Sequence, residues 1–162
     1  MNTLVREEEI IAKLAEKFPD IAGNFKIVRK RRIFAELPTE RFLEVFAYAA
    51  RDLKFIHLCT ITALDEKDSF GFLYHLAQDS GVILNLKINA GKEKPVIKTV
   101  TSFFVGADIY EREIMDLFGV KVEGLTPGAR YPLPDDWPAD EFPLRKDWRP
   151  QVDPNDREEN HA

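Results

Sequence analysis

Three apolar runs of strand-like composition follow one another in the middle of the chain, at residues 55–63, 70–77 and 82–89. Short polar segments separate them, at residues 65–69 and 79–81. Runs bounded by turn residues in this way are typical of strands, and connections this short join antiparallel neighbours. This pattern of strand-like runs and short turns therefore predicts an antiparallel meander in the middle of the chain.

Amphipathic helices are predicted on either side of these strands. Their apolar residues recur at helical spacing, Thr39 is a suitable N-cap for the second helix, and Gly119 is well placed to end the third. Strand runs beside helices, without βαβ alternation, indicate an α+β fold with a mainly antiparallel sheet. The predicted helices cover residues 4–18, 40–53 and 104–118, and further short strands are predicted within 25–37 and at 96–100.

The composition changes after Gly124. Seven of the ten prolines fall within residues 127–154, together with both tryptophans, and no helical or alternating period continues. We therefore predict a globular domain at 1–124 and an extended, proline-rich C-terminal arm at 125–162. Ordering such an arm costs roughly 1 kcal/mol per residue in backbone entropy, so its aromatic side chains need a surface to lie on. That surface is either a large partner or the chain's own domain.

Charge, cysteine content and hydropathy narrow the function classes. The net charge of −5 disfavours a general nucleic-acid binder. One basic run, at residues 29–32, predicts a solvated turn or, alternatively, a contact with an anion. The single cysteine, Cys59, is expected to be buried and is too few for a thiolate-bound cluster, while His57 and His75 lack a third ligand. We expect no cofactor and no metal. Without a long apolar run or a signal-like start, the chain is predicted to be cytosolic.

The densest charge pattern lies on the third predicted helix. Arg112 and Asp116 are four residues apart there, with Glu113 beside them. This spacing predicts an Arg112–Asp116 ion pair, either as an exposed pair worth ~0.2–0.5 kcal/mol or as part of a charged face that meets a partner. Known catalytic sequence motifs are absent. A stand-alone enzyme using carboxylates such as Glu113 and Asp116 is the competing interpretation.

Several short motifs together suggest a family. They are YHL at 74–76, GADIY at 106–110, EREIMDLFG at 111–119, PDDW at 134–137 and FPLRKDW at 142–148. In this order they resemble the signature elements of the respiratory complex I 30 kDa subunit family, the C-type subunit of NADH-quinone oxidoreductase. That family includes the homologous subunit of energy-converting nickel–iron hydrogenases and formate hydrogenlyases.

The resemblance implies a non-catalytic assembly subunit in the peripheral arm of a membrane-associated, ion-pumping redox complex of the NADH-quinone oxidoreductase (translocase) type. Its partners would be the large 49 kDa-like subunit, which helps form the quinone site, or the nickel–iron large subunit of a hydrogenase, together with other peripheral-arm subunits. It implies no active site or cofactor in this chain alone, no nucleic-acid partner, and a peripheral position on the cytoplasmic side of the cell membrane. The partner-binding residues that it implies are Glu111, Arg112, Glu113, Asp116, Arg130, Trp137, Arg145, Asp147 and Trp148.

Overall fold

Residues 5–150 are described by the structure, a computed structural model. Within that range the chain forms three α-helices, one 3-10 helix and seven strands. The first residue of the predicted helix 4–18 and the last part of the predicted arm, 151–162, lie outside the described residues. The elements are α1 (Val5–Lys17), the 3-10 helix (Pro19–Asn24), β1 (Lys26–Arg29), β2 (Arg32–Glu36), α2 (Thr39–Arg51), β3 (His57–Glu66), β4 (Ser69–Ala77), β5 (Ile83–Gly91), β6 (Val96–Lys98), α3 (Ala107–Phe118) and β7 (Lys121–Glu123).

Five strands form one mixed sheet in the order β1-β2-β5-β4-β3. The predicted meander is confirmed, because β3 pairs antiparallel with β4 and β4 pairs antiparallel with β5. The hairpin β1–β2 around the basic turn is also antiparallel. The sheet is not wholly antiparallel, however, since β2 pairs with β5 in parallel. This pairing joins strands that are far apart in the chain, where local turn patterns give no signal.

One face of the sheet packs on the helices and forms the core. Phe72, Tyr74 and Leu76 alternate along β4 and are fully buried. The apolar stripe of α2 lies against them, with the Phe42 and Phe46 rings 4.4 and 5.8 Å from the Tyr74 ring. The alternating side chains of β4 and the helically spaced side chains of α2 therefore pack against each other on one face of the sheet, as expected for two packed layers.

Two local predictions were wrong, each for a geometric reason. Thr39 is the first residue of α2 rather than its N-cap, which is Pro38, and the Thr39 hydroxyl donates to the Asn89 carbonyl at 2.9 Å. The threonine thus ties α2 to β5. Cys59 is exposed rather than buried, because it occupies a register shift on the edge strand β3 between Leu58 and Thr60. A bulge of this kind leaves a residue outside the regular alternation.

The second, smaller sheet pairs β6 with β7 in parallel. Between these strands the chain forms α3, which begins three residues later than predicted and ends at Gly119 as predicted. Gly119 takes the left-handed conformation, with φ 66° and ψ 37°, that favours glycine after a helix. Across residues 5–150, none of the helices is long and apolar enough to cross a lipid bilayer.

Candidate partner-binding surface

The arm folds back over α3. Its described part, residues 125–150, contains neither helix nor strand. The Leu144 amide donates to the Leu117 carbonyl at 3.1 Å, and Arg145 Nε donates to the Phe118 carbonyl at 2.7 Å. The last carbonyls of a helix have no partner inside the helix, so the arm supplies the donors that α3 lacks. Of the two surfaces considered for the arm, the described residues use the chain's own domain.

Gly119 leaves the space through which the arm reaches α3. A Cβ at this position would lie 2.5 Å from the Phe142 ring and 2.7 Å from an Arg145 nitrogen. The Arg145 guanidinium lies 4.5 Å from the centroid of Phe142 and 5.1 Å from that of Phe70 on β4. The arginine therefore stacks between the arm and the sheet, and any side chain at residue 119 would displace it.

Asp116 pairs with the arm and not with Arg112. Arg130 Nε donates to Asp116 Oδ1 at 3.1 Å, and the Leu133 amide donates to Oδ2 at 3.2 Å. Arg130 also donates to the Trp137 carbonyl at 2.7 Å. Two residues of the predicted surface, Asp116 and Arg130, are thus brought together, and their ion pair shapes the first loop of the arm.

Arg112 pairs with Asp108, so the predicted Arg112–Asp116 pair is wrong. Two guanidinium nitrogens of Arg112 donate to the two Asp108 oxygens at 2.8 Å each, and one also donates to the Thr126 carbonyl at 2.8 Å. A carboxylate one turn before the arginine is the favoured order on a helix. The hydrogen bonds from Arg112 lower the pKa of Asp108. Gly128 leaves room for the guanidinium, which would lie 2.7 Å from a Cβ there.

Glu111 points into the protein. It has no exposed surface and accepts hydrogen bonds from the Thr99 hydroxyl at 2.6 Å and the Val100 amide at 2.7 Å. Burial raises the pKa of Glu111, against the opposing effect of those hydrogen bonds. The carboxyl fixes α3 to the segment that follows β6, so its effect on any outer surface is indirect.

The two tryptophans of the arm lie against one another. Their ring centroids are 6.1 Å apart. Trp137 Nε1 donates to the Glu141 carbonyl at 3.0 Å, and Trp148 Nε1 donates to the Glu141 carboxylate at 3.1 Å. Both rings are half-buried, whereas Asp147 beside them is exposed. The two indoles and Glu141 form a small cluster within the arm, and Asp147 beside this cluster is exposed to solvent.

Near Lys146 the arm contacts the far end of β3 at Asp65, a residue that the sequence analysis did not single out. The Lys146 amide donates to Asp65 Oδ2 at 2.9 Å, and Lys92 forms an ion pair with the other oxygen. Burial disfavours the charged form of Asp65, but the hydrogen bonds from Lys92 and Lys146 prevail and its pKa is lowered. No pattern in the sequence indicated this contact, because Asp65 lies in the polar segment 65–69 that was predicted to be a turn, whereas β3 extends to Glu66.

Two grooves flank α3. The arm groove has a volume of about 550 Å³. The strand groove, of about 260 Å³, lies between α3 and the middle of β3. Exposed apolar side chains line both, namely Met115 and Tyr131 in the first and Leu144 in the second. Glu113 lines the strand groove and Asp116 the arm groove, so the structure does not bring these carboxylates into one site. The arm groove is lined by Arg112, Met115, Asp116, Gly119, Val120, Lys121, Gly128, Ala129, Arg130, Tyr131, Ala139 and Phe142.

The histidines lie in separate polar networks. His75 hydrogen-bonds Asn85 at 2.7 Å and Thr62 at 3.1 Å on the outer face of the sheet, whereas His57 contacts Asp79 at 3.2 Å. Among residues 5–150, no group of three or more histidine, cysteine and acidic side chains is arranged to hold a metal ion.

The described residues thus form a mixed α+β domain with an arm ordered over a charged helix and a groove on each side of that helix. Residues 35–153 match the family model of the respiratory-chain NADH dehydrogenase 30 Kd subunit. The chain therefore belongs to this family, and the resemblance seen in its motifs is confirmed. It is a C-type subunit of a multi-subunit complex of the complex I-like kind.

Individual relatives match over most of their length. The chain is 34% identical to the C-type subunit of the F(420)H(2) dehydrogenase of Methanosarcina mazei, covering 86% of this chain and 89% of that protein. It is 28% identical to the membrane-bound hydrogenase subunit beta of Pyrococcus furiosus, covering 88% and 86%. A chain in the structure of the membrane-bound sulfane sulfur reductase, an archaeal respiratory membrane complex, has 28% identity and a TM-score of 0.78, covering 89% and 86%.

Proposed function

We propose that this chain is a non-catalytic assembly subunit that binds the large subunit of its complex, 49 kDa-like or nickel–iron, through α3 and the arm. The observation that supports this proposal is the pair of grooves beside α3. Apolar side chains at their margins are exposed, with Leu144 at 52%, Tyr131 at 46% and Met115 at 37%. Apolar anchors in grooves with a charged rim are typical of interfaces between subunits.

The nine residues of the predicted surface divide into two roles in this proposal. Asp147, exposed on the arm, and Glu113, at the strand groove, contact the partner directly. The other seven set the shape of that surface through bonds within the chain, which keeps the arm ordered before binding and lowers the entropic cost of association. These shaping residues are Glu111, Arg112, Asp116, Arg130, Trp137, Arg145 and Trp148.

We further propose that the chain lies on the cytoplasmic side of the cell membrane, attached through its complex and holding no cofactor itself. Support comes from the relatives, which include a membrane-bound hydrogenase subunit and a chain of a respiratory membrane complex. The parent complex is either an ion-pumping quinone reductase of the NADH-quinone oxidoreductase type or an energy-converting hydrogenase. Paired CxxC motifs in the neighbouring large subunit would identify the hydrogenase.

The test is co-purification of the large subunit with the full chain. Met115→Asp and Leu144→Asp place a charge in one groove each, and we expect each to weaken binding about tenfold or more, equivalent to ~1.4 kcal/mol. Leu64→Asp, on the outer face of the sheet and 40% exposed, is the matched control and should bind normally. Wild-type affinity in both groove variants would exclude the grooves as the contact. Failure of the wild-type chain to retain any large subunit would exclude the function itself.

A further inference from the structure

The β1–β2 turn concentrates positive charge whose side chains form no salt bridge within the described residues, although the nearby Glu7 carboxylate interacts electrostatically with Lys30 and Arg31. Residues 29–32 are four consecutive cations, and none of them forms an ion pair within residues 5–150. Other cations do: Arg41 pairs with Asp20 at 3.0 Å and Lys87 with Glu66 at 2.9 Å. The whole chain has 28 acidic and 23 basic residues, so this patch opposes its overall balance. Grouped like charges repel, and an external counter-charge relieves that repulsion.

The turn is held in one conformation by contacts on both sides. The Arg31 amide donates to the carboxylate of Glu7, which is 2% exposed. The Arg31 carbonyl accepts from the Ile83 amide at 3.0 Å, and Arg31 itself has φ 61°. The Arg31 side chain lies beside Gly81, where a Cβ would be 3.5 Å from its guanidinium. A cationic turn fixed in this way binds with little ordering cost.

A hollow of about 440 Å³ adjoins the turn. Its charged lining consists of Arg6, Lys30 and Arg31 against Glu7 and Glu9. Of those two carboxylates, Glu7 is already engaged by the Arg31 amide. The remaining lining is Val5, Ser80 and Val82.

Apolar surface accompanies the cations. Val5 at the hollow is 57% exposed, and Val28, next to Arg29 in the chain, is 65% exposed. A protein segment with both carboxylates and an apolar side chain would use all of these groups, whereas a small inorganic anion would not. Arg29 and Arg32 face each other across the hairpin, with residues 30 and 31 at its tip. Directly opposed residues of an antiparallel pair project from the same face, so the Arg29 and Arg32 side chains lie on one face of the hairpin, next to Lys30 and Arg31.

We propose that this turn and the adjoining hollow dock an acidic segment of a neighbouring protein subunit. Its carboxylates pair with Arg29, Lys30 and Arg31, and an apolar side chain of the segment covers Val5. This interface goes beyond the proposed function, because β1 and β3 form opposite edges of the sheet and α3 lies beside β3. The turn also precedes residues 35–153, which match the family model.

The test uses the intact complex containing the full chain. A carbodiimide that couples amines to carboxylates without a spacer should join Lys30 to an Asp or Glu of another subunit, identified by mass spectrometry. Acetylation of Lys30 should be about tenfold slower in the complex than in the isolated chain, as for a residue buried in an interface. Lys67 is a matched control, since it is exposed in the β3–β4 turn with φ 60°, and Lys67→Glu makes the same charge change as Lys30→Glu.

Lys30→Glu should abolish the cross-link and release the neighbouring subunit at lower salt than the wild type, with an unchanged melting temperature of the isolated chain. Lys67→Glu should do neither. Equal acetylation of Lys30 in the complex and the isolated chain would overturn the proposal. So would binding of the isolated chain to phosphatidylglycerol vesicles that is lost in Lys30→Glu, because the anion would then be a lipid.

Discussion

The Arg130 guanidinium contacts the Asp116 carboxylate at 3.1 Å, although fourteen residues separate them and only Asp116 lies on a helix. The second oxygen of Asp116 accepts the Leu133 amide at 3.2 Å, and Arg130 holds the Trp137 carbonyl at 2.7 Å. Asp116 and Arg130 retain only 13% and 20% exposure of their side chains. One carboxylate on α3 therefore orders the first loop of the arm.

Asp116→Asn should loosen that loop. Arg130 would lose its counter-charge while partly buried, which costs about 1–2 kcal/mol of the free energy of unfolding. Hydrogen exchange of the Leu133 amide should accelerate, and chemical denaturation should report the loss of stability. Asp135→Asn, the same change at an exposed arm position, should leave both quantities unchanged. Equal protection of Leu133 in the wild type and Asp116→Asn would mean that the ion pair does not order the loop.

Arg112→Glu should destabilise the isolated chain. The new carboxylate would face Asp108, and the Thr126 carbonyl would lose its donor. We expect a loss of roughly 1–3 kcal/mol, measured by denaturant unfolding. Lys121→Glu is a suitable control because Lys121 lines the same groove with its side chain 72% exposed. An unchanged midpoint for Arg112→Glu would show that the Asp108 pair and the arm contact contribute no net stability.

These residues also show what the sequence could and could not predict. Helical spacing places Glu111 on the same stripe as Ala107, Ile114 and Phe118, all buried, so its inward position was available from periodicity. The partner of Asp116 could not be predicted from periodicity, because Arg130 belongs to the arm and no local sequence pattern connects the two residues. For the same reason the meander was predicted correctly from short turns, whereas the parallel pairing of β2 with β5 was missed.

Asp65→Asn should weaken the docking of the arm in a pH-dependent way. The pKa of Asp65 is lowered in the folded state, so its contribution to stability is present above the ordinary carboxyl pKa. It is lost as the pH falls through the lower folded pKa. At pH 7 the variant should lose about 1–3 kcal/mol, because Lys92 and the Lys146 amide lose a charged acceptor. Urea denaturation should show that the difference in unfolding free energy between the variant and the wild type disappears below about pH 4.

Glu111→Gln should change the pH dependence of stability in the opposite direction to Asp65→Asn. Burial raises the pKa of Glu111, so the folded state disfavours its charged form and stability falls as the pH rises above the ordinary carboxyl pKa. The neutral glutamine keeps an acceptor for the Val100 amide and avoids that cost. The variant should therefore equal or exceed the wild type at pH 7 by up to about 1 kcal/mol, with the difference vanishing in acid. A large loss at pH 7 would show that ionised Glu111 is required by the fold.

Truncation after Gly124 tests the proposed boundary between the domain 1–124 and the arm 125–162. Within the described residues, no buried hydrophobic side chain lies beyond Val122, and Leu125 of the arm is only partly buried against the core, so nearly all of the core remains without the arm. The truncated chain should unfold cooperatively, with stability reduced by a few kcal/mol, because the Leu117 and Phe118 carbonyls and Asp65 lose their donors from the arm. The measurement is calorimetry of the truncated and full chains, beside co-purification of each with the large subunit. A broad, non-cooperative transition would place the arm inside the folding unit. Cooperative unfolding with full retention of the partner would instead move the proposed interface from the arm to α3 itself.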